Sequence, residues 1–387
     1  MTSKKLNVSK TLIYSKWVAI LLVALVLIVY GRTVKSPTLT KTQIVLGAGI
    51  DFDATSREFE VTTQSMMVAS SFGESNAQTT YNVYSAKGRT VAEALDVISR
   101  KIGLNISLAH CNVLFLSNTA LALDHLQLFY PLTGMYSLPE QSMIVACAIP
   151  PKELLSKRIG STVSSALFLQ NSLSNQEGDD GMIRTTVKDF LCSSLSRSHA
   201  NALPYVEVQK LESEPQNAEG EIKDAFELIL NRALVTDKEK AYVLSEELSE
   251  ILSIYLSSDV TGCLNYTSKK GESVEFKVLG EDVKQRADGR TVFADIKISV
   301  DLLDVQFVDS DYMLNGADSF VQCAAKELET ILKQRLLELF DLSKSLNIDF
   351  LGLQAKAYQS VGRSLEENCL STLSFVPNVK ILVSETA

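Results

Sequence analysis

The sequence predicts an α+β protein, with an N-terminal membrane helix followed by a multi-domain, three-domain extracytoplasmic region of mixed and antiparallel sheets and segregated helices. Three observations carry this expectation. An uncharged run, Trp17 to Tyr30, follows four lysines. The stretch from Gly88 to Leu116 spells a helix and then strands. The final third of the chain gives three segments of period-two alternation followed by a long amphipathic helix.

The apolar run is preceded by Lys4, Lys5, Lys10 and Lys16. A bilayer needs about 20 helical residues, and extending the run back to Thr11 supplies them if Lys16 snorkels toward the headgroups. Positive charge before the span places the N-terminus in the cytoplasm and everything after Arg32 outside. A cleaved secretory signal ending near Val29-Tyr30-Gly31 is the alternative, and it exports the same residues.

In the stretch from Gly88, Thr90 and Glu93 have capping-box spacing. Val91, Ala94, Leu95, Ile98 and Ile102 recur on one helical face, and Gly103 ends the helix. Asn105 to Leu108 alternates at period two. Val113-Leu114-Phe115-Leu116 is continuously apolar, the pattern of a strand covered on both faces.

The remaining elements follow from the same periodicities. A strand is predicted from Gln43 to Asp53, with its Gly47-Ala48-Gly49-Ile50-Asp51 read as a hairpin turn and Phe59 to Ala69 as the second strand. Met143 to Ala148 is a further strand. Helices are predicted at Lys152–Lys157, Ser161–Leu173 and Thr186–Leu195, with the acidic loop Asn175 to Gly181 between the last two. Strands at Tyr205–Lys210 and Ala225–Val235 precede a helix from Ser245 to about Tyr255. Thr261–Tyr266, Val274–Leu279 and Val292–Leu303 read as an antiparallel meander, Ser319–Leu342 as a long helix, and Asn378–Ser384 as a last strand. The boundaries expected are 1–36 for tail, anchor and tether, 37–200 for an N-terminal α+β domain, 201–258 for a small middle domain and 259–387 for a C-terminal α+β domain.

Composition narrows function. With 37 Lys plus Arg against 46 Asp plus Glu, the net charge of −9 argues against nucleic acid as a partner. Gly47-x-Gly49 has neither the third glycine nor the following helix of a dinucleotide loop. Asp51 and Asp53 lack the glycine and glutamate of a calcium loop, with Ser56 and Thr62 at those positions. Six cysteines are sparse, none in a C-x-x-C pair, and are read as buried apolar residues. His110, His125 and His199 sit in no metalloprotease spacing. His110 and Cys111 are adjacent, so on a strand they face opposite ways and form no dyad. His110 is read as a hydrogen-bonded structural residue between strands. No catalytic, cofactor-binding or metal residues are assigned, and a non-catalytic interaction protein is expected. An anchored extracytoplasmic hydrolase or solute-binding protein is the alternative.

The ordered set Gly47-x-Gly49-Ile50-Asp51, Val61-Thr62-x-Gln64, Gly88-x-Thr90-x-x-Glu93-Ala94 and Ser107-x-x-His110-x-x-Val113-Leu114-Phe115 resembles the N-terminal domain of the Ger(x)C family, the C subunits of spore germinant receptors. Pro204-Tyr205-Val206, Ala233-Leu234-Val235, Ser245-Glu246-Glu247 and Ile348-Asp349-Phe350-Leu351-Gly352 resemble its later landmarks in the same order. The resemblance implies a non-enzymatic, extracytoplasmic α+β protein of three domains, without a cofactor. It would work beside a multi-spanning A-type and a transporter-like B-type subunit in the spore inner membrane, in the response to nutrients. Two departures stand out. Family members carry a lipidated Cys after the signal, whereas Arg32 follows Val29-Tyr30-Gly31 here, so the uncleaved helix is expected to serve as anchor. Asn231 stands where the family tends to have Gly.

Overall fold

The computed structural model describes residues 17, 20–25, 42–66, 81–157, 159, 164–174, 182–210, 216–217, 220–221, 226–256, 262–306, 317–362, 365–366 and 369–384. Of the N-terminal segment this takes in Trp17 and residues 20–25, which are helical and exposed. Among the described residues no helix is long and apolar enough to cross a membrane, and most of the span expected from Trp17 to Tyr30 lies outside them. The acidic loop Asn175 to Gly181 also lies outside them.

β1 (Thr42–Asp53), β2 (Glu58–Met66) and β3 (Tyr81–Gly88) pair antiparallel in sequence order. The turn between β1 and β2 is not at Gly47, as the sequence suggested, but at Ala54 to Arg57. There Asp53 Oδ1 accepts the N–H groups of Thr55 (2.9 Å) and Ser56 (3.3 Å), and Arg57 takes a φ of 56°. Gly47 and Gly49 are strand residues for a packing reason. A Cβ on Gly47 would lie 2.4 Å from Ala166 Cβ, and one on Gly49 would lie 2.4 Å from Pro151 Cβ. The sheet surface is kept bare so that two helices can sit directly on it.

α1 (Val91–Ile102) forms as predicted, with Val91, Ala94, Leu95 and Ile98 buried. Thr90 Oγ1 accepts the Glu93 N–H at 3.1 Å, while the Glu93 carboxylate reaches back to the N–H of Arg89, one residue before the cap. The short β4 (Asn105–Ser107) pairs with β1. β5 (Val113–Ser117) follows, buried at every position. Its alternation sends Leu114 and Leu116 into one core and Val113 and Phe115 into another, so it is covered on both faces as its apolar run predicted.

After α2 (Asn118–Leu121) and α3 (His125–Gly134), β6 (Met143–Cys147) lies parallel to β5. α4 (Pro151–Ser156), α5 (Ser165–Ser174) and α6 (Val187–Leu195) lead to β7 (Asn201–Lys210), parallel to β6. The two-residue strands β8 (Gln216–Asn217) and β9 (Gly220–Glu221) pair with each other. β10 (Phe226–Thr236) and β11 (Ala241–Val243) complete a nine-stranded mixed sheet, in the order β11-β10-β7-β6-β5-β1-β2-β3 with β4 beside β1. The division expected at residue 200 therefore falls within one sheet, since Asn201 begins a strand paired to β6 and β10.

α7 (Glu246–Leu256) precedes β12 (Gly262–Thr267), β13 (Ser273–Asp288) and β14 (Thr291–Gln306), an antiparallel meander as predicted. β13 runs longer than expected because its distal half sets Lys284, Arg286 and Asp288 against Val283, Gln285 and Ala287, a weakly apolar set, which blurs the period, and β14 extends a few residues beyond Leu303. α8 (Ala317–Leu346) and α9 (Leu353–Val361) then cross back, and β15 (Ser374–Val383) pairs parallel to β14, as a long crossover requires. The apolar stripe of α8 closes this four-stranded sheet through Ala324, Leu328, Leu332, Leu336 and Leu339. That core also takes in Ala202 of β7 and Ala233 and Val235 of β10, so the segment 201–258 lends strands to the large sheet and α7 to the small one. The whole is mixed α+β with two major sheets.

Candidate functional site

The family-like landmarks are structural when met in three dimensions. Gln64 is 1% exposed and ties two helices to β2. Its Nε2 donates to the Leu155 carbonyl at 3.0 Å, and its Oε1 accepts from Ser164 Oγ (2.7 Å) and the Ala166 N–H (3.1 Å). Asp349 is 2% exposed and caps α9 in place of a side chain on Gly352. It accepts the N–H groups of Leu353 (2.9 Å) and Gln354 (2.7 Å) and the hydroxyl of Ser198 at 2.6 Å. Burial, partly opposed by these three hydrogen bonds, pushes its carboxyl up to about 6.

The histidines divide differently from the sequence reading. His110 is exposed in the turn before β5, a correction to the structural, hydrogen-bonded role expected for it. His125 has that role instead. Its Nε2 lies 3.0 Å from the Leu121 carbonyl, which only a protonated nitrogen can satisfy. Nδ1 must then accept from Ser194 Oγ at 2.9 Å, and Ser194 Oγ accepts from Asn201 Nδ2 at 2.8 Å. Burial, partly opposed by the Leu121 bond, holds His125 below its ordinary pKa and keeps it neutral. The cysteines are mixed. Cys111, Cys147 and Cys369 are buried, but Cys192 and Cys323 are exposed and Cys263 is half-buried; all six are thiols. Burial raises Cys111 to about 12, which leaves it inert.

One cavity able to accept a ligand, of about 390 Å³, lies among β10, α5, α7 and the start of β12. Its making begins at β10, where the pairing with β7 slips between Ile229 and Arg232. Leu230 and Asn231 together oppose Val206, and such a bulge re-aims side chains locally. Ser249 Oγ accepts the Ala233 N–H at 2.9 Å and donates to the Ser245 carbonyl at 2.7 Å, which fastens α7 across β10. Phe168, Leu228, Leu230, Ile254 and Leu264 make the walls apolar.

Charge at the cavity is one-sided. Arg232 is engaged, with Nε on the Leu244 carbonyl (2.9 Å) and Nη1 on Glu207 (3.3 Å). Glu247 turns away to Arg335 at 2.7 Å. Glu246 and Glu250, one helical turn apart, remain at the cavity. Glu250 reaches water there and meets no cation among the described residues. Loss of hydration, and then the charges of Glu246 and Glu247, push its carboxyl above the ordinary range. Sequence reading assigned no site here. The i, i+4 pair of Glu246 and Glu250 was its one local signal, indistinguishable from a solvated helix start that suits the dipole.

Residues 36–208 match the family described as "Spore germination protein N-terminal domain". Curated proteins give no match. Among solved structures the chain is similar to one titled "Crystal Structure of the GerBC protein", with a TM-score of 0.51 and 13% identity, covering 89% of this chain and 99% of that one. Residues 36–208 thus carry a spore germination protein N-terminal domain by sequence, and most of the chain shares the fold of the GerBC protein.

Proposed function

We propose that the protein is the extracytoplasmic C-type subunit of a germinant receptor, held at the membrane by an uncleaved helix from Trp17 to Tyr30 and acting by contacts with A-type and B-type subunits. The matched domain is described by a role in spore germination and not by a catalytic activity. The observation that carries the reading is the match of residues 36–208 to a spore germination domain on a chain with the fold of GerBC. Supporting it, the landmarks shared with the family work as clamps between elements, Gln64 and Asp349 above all, and exposed loops and junctions are left for partners.

Deleting Arg32 to Ala387 while keeping the helix tests the docking role. The germination response should be lost and the partner subunits should fall in abundance. Crosslinking in membranes should join the intact chain to partner loops. Reproducible turnover of a peptide, ester, glycoside or phosphate substrate by the purified protein, removed by one carboxylate or histidine substitution, would replace docking with a hydrolase. Anchoring is tested separately. Fatty-acid labelling should leave the protein unlabelled, and a mature N-terminus at Arg32 would show the helix to be a cleaved signal.

A further inference from the structure

We propose that the cavity between the β10 bulge and α7 binds a small amphipathic monocation, an ammonium group on an aliphatic or aromatic body. At about 390 Å³ the cavity is within the size of small-molecule sites. Its apolar walls suit the body of such a ligand. Its polar end is set by Glu246 and Glu250, and Asn231, at the bulge, is a further polar residue of the lining.

The sign of the ligand's charge follows from what is already paired. An anion would have to approach two carboxylates, while Arg232 is held by Glu207 and the Leu244 carbonyl. A neutral apolar molecule would leave Glu250 charged and losing hydration without compensation, which costs affinity. An ammonium placed between Glu246 and Glu250 supplies the missing counter-charge and relieves the repulsion between them. The raised Glu250 carboxyl fits this setting, because loss of hydration and then the charges of Glu246 and Glu247 disfavour its ionised form. The inference goes beyond the receptor-subunit reading and stands or falls independently of it.

The test is calorimetric, with the full chain in lipid nanodiscs and empty nanodiscs as the blank. The probes are phenethylammonium and its neutral counterpart 2-phenylethanol. Phenethylammonium should bind about ten-fold more tightly than the alcohol, a ratio set by one favourable charge contact. Glu250→Gln should bring the two within about two-fold of each other by removing that contact. Ser172→Trp, which fills the cavity from half-exposed α5 without touching the inner core, should weaken both probes about ten-fold or more. Glu247→Gln, at the carboxylate already paired to Arg335, should leave the ratio as it is. Circular dichroism confirms that each variant is folded. Equal affinity for the two probes, a preference that survives Glu250→Gln, binding that survives Ser172→Trp, or no heat above the blank would overturn the assignment.

Discussion

Ser198 Oγ donates a 2.6 Å hydrogen bond to Oδ2 of Asp349, joining the turn that leads into β7 to the cap of α9 across 151 residues of sequence. The contact is buried, and Asp349 serves both partners at once. Asp349→Ala should strip two backbone N–H groups and one hydroxyl of their acceptor, a loss of about 2–4 kcal/mol measured by urea unfolding.

Asp349 also sets a pH dependence. Its folded carboxyl titrates at about 6, above the unfolded value of about 3.9, so the folded state binds the proton more tightly. The stability it contributes is fully present below about pH 4 and is lost as pH rises through about 6, amounting to about 3 kcal/mol. Unfolding free energies measured across that window should fall less steeply with pH in Asp349→Asn than in the parent. Identical slopes in the two proteins would count against the buried carboxyl.

His125 acts in the opposite sense. Burial depresses its folded pKa, so stability is present above the unfolded value of about 6.5 and is lost as pH falls toward the folded one. His125→Phe fills similar space beside Phe190, 4.6 Å away between ring centroids, but leaves the Ser194 O–H without its acceptor and the Leu121 carbonyl without the imidazole donor. Thermal unfolding should show a loss of about 1–3 kcal/mol at neutral pH, with the acid-side decline reduced.

Two glycine substitutions should part company. Gly49→Ala pushes a methyl group into Pro151 of α4 and should cost about 1–3 kcal/mol, whereas a Cβ on Gly134 meets nothing within 4 Å. Gly134→Ala at the end of α3 should be neutral or stabilise by up to about 1 kcal/mol. Equal effects in a denaturant titration would refute the close approach of α4 to β1.

His110→Ala should change stability by less than about 0.5 kcal/mol, as befits an exposed turn residue. A drop of several degrees in melting temperature would restore the structural role that its sequence position suggested.

Local patterns were legible in the sequence wherever one period dominated. The face of α1, the two-sided burial of β5, the meander and the stripe of α8 each follow from apolar spacing within a single element. What those patterns left out has a common physical cause. β3 and the distal half of β13 carry polar residues on the solvent face and weakly apolar ones on the other, so their alternation is faint. α3 starts at an ordinary Asp124 cap but holds Pro131 in its interior, which obscures the helical pattern, and α9 takes its cap from Asp349 outside the helix, so its start lacks the usual local sign.

By itself the sequence determined the strongly periodic elements, the class and the resemblance to a spore germination family, because helix faces, strand alternation and ordered landmarks are properties of neighbouring residues. Only the tertiary structure decided that Gly47 and Gly49 lie in a strand under two helices, that His125 rather than His110 is the buried imidazole, and that one sheet runs across residue 200. It also decided that Glu250 faces a cavity with no cation to meet it among the described residues. These depend on contacts between residues far apart in sequence, and whether a carboxylate is solvated, paired or left without a counter-charge is settled by what folds against it.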